Sequence, residues 1–222
     1  MKLTTQLFLF MLFGLFSFLS KAQPLHYLAL GDSYTIGESV AEADRWPNQL
    51  ARALSDKFAI SVAPPRIIAT TGWRTDNLAD AVAKATLKNE YDLVSLLIGV
   101  NNQYQGKSPQ QYEKEFESLL LTAIRLARGK KELVFVVSIP DYGYTPFGKS
   151  KQTSITQALD EFNEINQRVS AAHGVAWYNI TDISRQGLED PSLVAEDGLH
   201  PSGKMYARWV ERMADSVRKQ LR

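Results

Sequence analysis

The chain has 222 residues, of which 45% are hydrophobic and 22% charged, with 25 basic side chains, 24 acidic side chains and no cysteine. A near-neutral chain without a basic block lacks the charge pattern of a nucleic-acid binder, so no nucleic-acid partner is expected. The absence of cysteine excludes disulfides, thiolate metal ligands and a cysteine nucleophile. Stability must then come from an ordinary hydrophobic core.

The first segment of the chain, residues 1–22, predicts a secretory signal peptide. Lys2 precedes an uncharged and mostly apolar run over 7–19, and small residues near Ala22 suit cleavage after it. The run is shorter than the roughly 20 residues that span a bilayer, so we expect no stable membrane span after cleavage. Residues 23–222 are predicted to form a single domain, in a secreted or periplasmic protein.

Apolar runs bounded by turn residues alternate with amphipathic stretches along the remaining chain. The apolar runs predict strands at 27–31, 66–69, 93–99, 133–139 and 176–179. The amphipathic stretches predict helices at 46–57, 75–88, 109–128, 153–172 and 201–219. Near-continuous apolar strands are typical of parallel strands that are covered on both faces. The alternation therefore predicts an α/β fold, three-layer α/β/α with a mostly parallel five-stranded sheet.

Polar and glycine residues follow successive predicted strands. Ser33 follows the first strand, Gly72 the second, Asn101 the third and Asp141 the fourth. Ligands of an open parallel sheet bind beyond the carboxyl ends of its strands. We therefore expect these residues to lie at one edge of the sheet and to form one site.

Ser33, Asp197 and His200 are candidates for a nucleophilic triad. A serine after a strand is often only a turn or N-cap residue, so Ser33 alone is weak evidence. Pro201 disfavours a helical conformation at His200, which leaves the imidazole free to accept a proton from Ser33. Asp197, three residues before His200, can orient the ring. The alternatives are a loop-capping carboxylate and a surface histidine.

A tetrahedral oxyanion also needs hydrogen-bond donors, and three candidates follow the first three strands. They are the backbone N–H groups of Ser33 and Gly72 and the side-chain amide of Asn101. Taken separately, Gly72 reads more simply as a tight turn and Asn101 as a loop cap. Their common position after neighbouring strands favours an oxyanion hole.

The blocks that contain these residues resemble those of the SGNH (GDSL) hydrolase family. They are Gly31-Asp32-Ser33-Tyr34, Gly72, Gly99-Val100-Asn101-Asn102 and Asp197-Gly198-Leu199-His200, in the family's order and strand context. The resemblance covers essentially the whole chain after the signal peptide. It implies an SGNH/flavodoxin-like fold, a Ser33-His200-Asp197 triad, an oxyanion hole of Ser33, Gly72 and Asn101, and esterase or lysophospholipase-like activity.

Two residues depart from the family pattern. Tyr34 stands where the family name has leucine, a position that we expect to lie outside the chemistry. Asn102 stands where the family commonly has aspartate, and this affects how the loop of Asn101 is held. The α/β-hydrolase alternative is disfavoured because Ser33 lacks the second glycine of a Gly-x-Ser-x-Gly elbow. A metal site that includes His26 or His173 is disfavoured because no helical histidine pair has ligand spacing.

Aromatic residues in the loops at the predicted site are candidate substrate contacts. Together with Asn102, these candidates are Trp73, Tyr104, Tyr142 and Tyr144, with Phe147 nearby. Aromatic faces stack on sugars or flank acyl chains, although such residues can equally be half-buried loop anchors. The glycine- and proline-containing segment 141–151 resembles a mobile flap that shapes the pocket.

The sequence as a whole predicts a serine esterase that hydrolyses carboxylic esters through an acyl-enzyme. Its substrate is expected to be a small ester of a sugar or a lipid, and no cofactor or metal is expected. Two alternatives stay open. One is an acyltransferase that passes the same acyl group to a sugar or another alcohol, and the other is a non-catalytic carbohydrate-binding protein of the same fold.

Overall fold

A computed structural model describes residues 23–221, and the predicted signal peptide at 1–22 lies outside these residues. Five strands form one sheet, in which every neighbouring pair is parallel, in the order β2-β1-β3-β4-β5. The strands are β1 (Tyr27–Gly31), β2 (Arg66–Ala69), β3 (Leu93–Leu97), β4 (Val134–Val137) and β5 (Ala176–Tyr178). The predicted α/β/α fold class is confirmed.

Eight α-helices surround this sheet in the described part of the chain. They are α1 (Ser33–Ile36), α2 (Trp46–Phe58), α3 (Thr75–Lys84), α4 (Val100–Tyr104), α5 (Pro109–Leu126), α6 (Gln152–His173), α7 (Thr181–Ser184) and α8 (Gly203–Gln220). Helix α2 packs against α8, whereas α5 packs against α3 and α6. These two groups give a helical layer on each side of the sheet.

The central strands explain the continuous apolar runs of the sequence. All residues of β1, β3 and β4 are buried, whereas the edge strand β5 is only half-buried. A strand that is covered by helices on both faces needs apolar side chains at successive positions, not only at alternate ones. Among residues 23–221, no helix has the length and apolar character that crossing a membrane requires.

The last helix begins later than the sequence pattern predicts. Its N-cap is Ser202, whose hydroxyl accepts a hydrogen bond from the Met205 N–H at 3.2 Å. Pro201 instead forms an isolated antiparallel bridge with Val194. His200 therefore lies directly before this bridge and outside α8, as the proline predicts.

Candidate active site

The turn that carries Ser33 is made by the two residues that precede it. Strand β1 ends at Gly31, where a side chain would overlap with Thr35 and the Leu97 carbonyl. Asp32 is the N-cap of α1 and accepts the Tyr34 N–H at 3.0 Å. Ser33 is the first residue of α1, and the N–H groups of a first helical turn have no acceptor within the helix. Its backbone N–H is therefore available to a ligand.

Asp197 and His200 form a close pair on a tight turn. The carboxylate Oδ2 of Asp197 lies 2.6 Å from His200 Nδ1, and its Oδ1 accepts the N–H groups of Leu199 and His200, each at 2.9 Å. Gly198 has a φ of 71°, which favours glycine and lets the chain reverse. Because a carboxylate only accepts hydrogen bonds, Nδ1 must donate, and Nε2 is left for a substrate or nucleophile.

Hydrogen bonds keep Asp197 in its ionised form. Burial raises the pKa of this carboxyl group, but hydrogen bonds from Ser39, His200 and Leu199 together hold the pKa well below its usual range. The Ser39 hydroxyl contributes at 2.6 Å from Oδ2. The negative charge that faces His200 is therefore present at any pH at which an imidazole can titrate.

Ser33 and His200 face one cavity of about 190 Å³ at the carboxyl end of the sheet. Both residues are buried, with 5% and 8% of their surfaces exposed. Asp197 lies behind the imidazole ring, outside the lining. The lining residues are Ser33, Tyr34, Thr71, Gly72, Val100, Asn101, Tyr104, Tyr142, Phe147, Leu199 and His200.

Gly72 and Asn101 reach this cavity from the two strands that flank β1. Gly72 has a φ of 84°, a left-handed conformation that favours glycine. The Asn101 side-chain amide donates to the Trp73 carbonyl at 2.9 Å. An amide NH₂ has two hydrogens, so this bond fixes the orientation of the group and leaves one donor for a ligand. The structure thus brings all three predicted oxyanion donors to the cavity.

Asn102, a predicted substrate contact, does not line the cavity. Its side chain is fully buried and bonds Thr75 twice, accepting the Thr75 N–H at 3.0 Å and donating to the Thr75 hydroxyl at 2.6 Å. Successive residues of a helix point about 100° apart, so Asn101 and Asn102 of α4 face different directions. Asn102 therefore anchors the loop of Asn101 to the start of α3.

The aromatic candidates divide into two groups. Tyr104, Tyr142 and Phe147 line the cavity and contact one another, with ring centroids 6.2–6.3 Å apart. Trp73 packs against the core instead, and Tyr144 is half-buried without reaching the cavity. These last two residues lie outside the cavity lining because residues within one loop can point to opposite sides of it, and their contact with substrate stays a prediction.

The segment predicted to be a flap is tied down at Asp141. This buried carboxylate accepts the Gly143 N–H at 2.9 Å, the Thr156 hydroxyl at 2.7 Å and the Arg185 guanidinium at 3.0 Å. Farther along, the Phe147 N–H donates to the Gly198 carbonyl at 3.0 Å. The segment therefore forms a hydrogen-bonded wall that contacts the Asp197–His200 turn, and its mobility stays a prediction.

Tyr34 and Asp32, the two neighbours of Ser33, lie closer to the site than the sequence indicated. Tyr34 lines the cavity, and its ring packs edge-on against His200, with centroids 5.8 Å apart and planes at 64°. Asp32 is fully buried, its Oδ2 has no hydrogen-bond partner within the described chain, and burial raises its pKa to about 7. Both residues flank Ser33, and this adjacency was the one feature of the sequence that could have placed them at the site.

The other two histidines lie away from the cavity. His26 precedes β1, at the opposite end of the strand from Ser33, and His173 pairs with Glu117 at 2.8 Å. Within residues 23–221, no three acidic or histidine side chains gather in the arrangement of a metal site. That the chemistry needs no metal or cofactor stays a prediction.

Comparison with known proteins relates both sequence and fold to ester hydrolases. The model of the GDSL-like lipase/acylhydrolase family matches residues 29–208. No curated protein shares significant sequence similarity with the chain.

The fold is similar to several solved structures. One is TesA, at 16% identity and a TM-score of 0.67, with 88% of this chain and 99% of TesA covered. Another is the lipase/acylhydrolase of Enterococcus faecalis, at 19% identity and a TM-score of 0.66, with 88% of this chain and 96% of that one covered. A third is Axe2, an acetylxylan esterase of Geobacillus stearothermophilus, at 17% identity and a TM-score of 0.63, with 86% and 94% covered.

Proposed function

Because this chain belongs to the GDSL-like lipase/acylhydrolase family and is a carboxylic ester hydrolase, we propose that Ser33, His200 and Asp197 are its catalytic triad. The observation that carries the proposal is the common cavity of Ser33 and His200, with the Asp197 carboxylate 2.6 Å behind the ring. A serine hydroxyl is a weak nucleophile near neutral pH and needs a base beside it. His200 is the one histidine that lines the described cavity.

In the proposed mechanism, Ser33 Oγ attacks the ester carbonyl carbon while its proton passes to His200 Nε2. The tetrahedral intermediate then collapses, and His200 gives this proton to the departing alkoxide, which leaves as the alcohol. Water next attacks the acyl-enzyme and loses a proton to His200, which returns it to Ser33 as the acid leaves. Asp197 stays ionised and stabilises the imidazolium that forms in each half of the reaction.

We further propose that Ser33 N–H, Gly72 N–H and Asn101 Nδ2 stabilise the oxyanion. The fixed orientation of the Asn101 amide, which donates to the Trp73 carbonyl, supports its role. Donors that are oriented before the reaction need no reorganisation as the charge develops, and one such donor typically contributes about 10²- to 10³-fold in rate.

The dimensions of the site favour an ester with a short acyl group. A cavity of about 190 Å³ is smaller than the usual pocket for a drug-sized ligand. Tyr104, Tyr142 and Phe147 separate it from a second, wider groove of about 470 Å³, which also contains Gln103 and Lys151. We propose that the acyl group occupies the cavity and that the alcohol part, a sugar or similar polar group, extends into the groove.

The proposed function is tested with p-nitrophenyl esters from acetate to palmitate, acetylated sugars and lysophospholipid. Hydrolysis is expected to be fastest for short acyl chains, to vanish in Ser33→Ala and to fall at least about 10³-fold in Asp197→Asn. Equal rates in the wild type and Ser33→Ala would contradict the mechanism. Addition of an acceptor alcohol tests the acyltransferase alternative, which requires a new ester among the products. Sugar binding without any turnover would instead support the carbohydrate-binding alternative.

We also propose that residues 1–22 export the protein to the periplasm or the medium. The support is the apolar run after Lys2 and the small residues before Gln23. Fractionation of cells that express the full chain, followed by N-terminal sequencing, is expected to give a mature protein that starts at Gln23. An uncleaved cytoplasmic protein would contradict this.

A further inference from the structure

The geometry points to Ser39 as a positioning residue of the active site, an inference that rests on the proposed triad. Ser39 donates a hydrogen bond of 2.6 Å to Oδ2 of Asp197. This is the same oxygen that faces His200 Nδ1, also at 2.6 Å. We infer that the Ser39 hydroxyl fixes the carboxylate in the plane in which it orients the imidazole.

The Asp197 carboxylate is held by different groups at its two oxygens. Two backbone N–H groups of its own turn hold Oδ1, so that half is set by local chain geometry. Only side chains, those of Ser39 and His200, are hydrogen-bonded to Oδ2 in the described residues. Without Ser39, His200 Nδ1 would be the sole donor to Oδ2 among the described residues, and only the backbone bonds at Oδ1 would hold the other side of the carboxylate.

The Ser39 bond also joins two distant parts of the chain. Ser39 belongs to the short segment that carries Ser33, because the N–H groups of Gly37 and Glu38 both donate to the Ser33 carbonyl at 3.0 Å. Asp197 belongs to the loop that carries His200. The bond between them therefore fixes the nucleophile relative to its base, in addition to holding the carboxylate.

The backbone at Ser39 adopts a conformation that favours glycine over serine. Its φ is 64°, in the left-handed region that residues other than glycine seldom adopt. Gly37 and Val40 hold the turn through a hydrogen bond of 3.3 Å. Glycine would fit this conformation better, and only the hydroxymethyl group of serine reaches Asp197. Strain of this kind persists where the surroundings or the function require it.

The left-handed φ of Ser39 allows the inference to be tested by a substitution that keeps the fold. Ser39→Gly removes the hydroxyl and relieves the backbone, so a purely structural role and a positioning role predict opposite results. Ser39→Ala removes the same hydroxyl but keeps a Cβ in the left-handed conformation, so it separates loss of the hydrogen bond from relief of the backbone. Ala59→Gly is the matched control, because Ala59 is also left-handed, with a φ of 56°, and lies at the opposite end of the sheet after α2.

The experiment measures kcat and KM on p-nitrophenyl butyrate and the Tm of each variant. For Ser39→Gly we expect kcat to fall about tenfold, the scale of one hydrogen bond to a charged group, with KM within about twofold and Tm unchanged or raised. Ser39→Ala is expected to lower kcat by about the same factor without the gain in Tm, and Ala59→Gly to leave kcat unchanged.

Three results would overturn the inference. They are a Ser39→Gly kcat within twofold of the wild type, a Ser39→Ala kcat within twofold of the wild type, or a Ser39→Gly loss that comes with a lower Tm. A failure of the proposed triad is distinguishable from these, because Ser33→Ala would then hydrolyse the ester as fast as the wild type. That outcome would remove both proposals together.

Discussion

Asn102→Asp, which restores the residue that is common in the family, is expected to destabilise this protein. In the structure, the Thr75 hydroxyl accepts from Asn102 Nδ2 and donates to the Glu115 carboxylate. A hydroxyl has one hydrogen, whereas an aspartate at position 102 would present a second acceptor in place of the amide donor. One of the two carboxylates would then lack its partner.

The expected loss follows from the burial of this position. Asn102 is fully buried, and a buried polar group that loses its partner costs about 1–3 kcal/mol. Repulsion between two neighbouring carboxylates adds to this, so we expect the free energy of unfolding to fall by about 2–4 kcal/mol at pH 7.5. Burial would raise the pKa of the new carboxyl group, and its protonated form is again a donor. The loss should therefore shrink as the pH is lowered to 5.

Urea unfolding of Asn102→Asp, Glu115→Gln and the double variant measures this coupling. Glu115→Gln alone is expected to cost less than about 1 kcal/mol, because its amide oxygen still accepts the Thr75 hydroxyl. In the double variant the hydroxyl can turn to the new carboxylate at position 102, and at least about 1 kcal/mol should be recovered. An Asn102→Asp variant as stable as the wild type at pH 7.5, or one that Glu115→Gln does not rescue, would refute the reasoning.

Three further predictions concern the first turn, the oxyanion donor and the groove. Asn101→Ala is expected to lower kcat about 10²- to 10³-fold with little change in Tm, and a smaller loss in steady-state kinetics would remove Asn101 from the oxyanion hole. As the pH rises from 4.5 to 8, the stability of Asp32→Asn relative to the wild type should increase by roughly 2–4 kcal/mol. Burial raises the pKa of Asp32 to about 7 in the folded protein, whereas the carboxyl group of the unfolded wild type loses its proton at a lower pH. The wild type therefore loses stability as the pH rises, and the variant does not. In urea unfolding, the same stability difference between variant and wild type at both pH values would contradict this. Replacement of Tyr104 and Phe147 by alanine should raise KM for acetylated sugars while p-nitrophenyl acetate is little affected. Leu121→Ala, which truncates an exposed side chain of α5, is the control. Equal KM changes for both substrates would contradict the proposal that the alcohol part binds in the groove.

The sheet and the residues at its edge were predictable from the sequence for a simple physical reason. Parallel strands that are buried on both faces leave continuous apolar runs, and their carboxyl ends meet at one edge. This pattern alone placed Ser33, Gly72 and Asn101 side by side. Pro201 likewise indicated that His200 lies outside a helix, although the helix that follows begins two residues later than predicted, at Gly203.

The direction of side chains within loops was not predictable in the same way. Trp73 follows Gly72 directly, yet it turns to the core because Gly72 has a left-handed φ that reverses the chain. Asn102 follows Asn101 but points to α3. Ser39 gave no signal, because its contact with Asp197 joins positions 158 residues apart and depends on an unusual backbone angle.

The wide separation of the triad residues along the chain also bears on how the protein is made. Ser33, Gly72 and Asn101 are all synthesised before Asp197 and His200, and the loop of His200 leads directly into α8, which packs on α2. In the proposed mechanism, a nascent or C-terminally clipped chain would carry the nucleophile and its oxyanion donors without a base. On that mechanism, hydrolytic capacity arises only when the C-terminal end of the polypeptide has folded onto the rest of the domain.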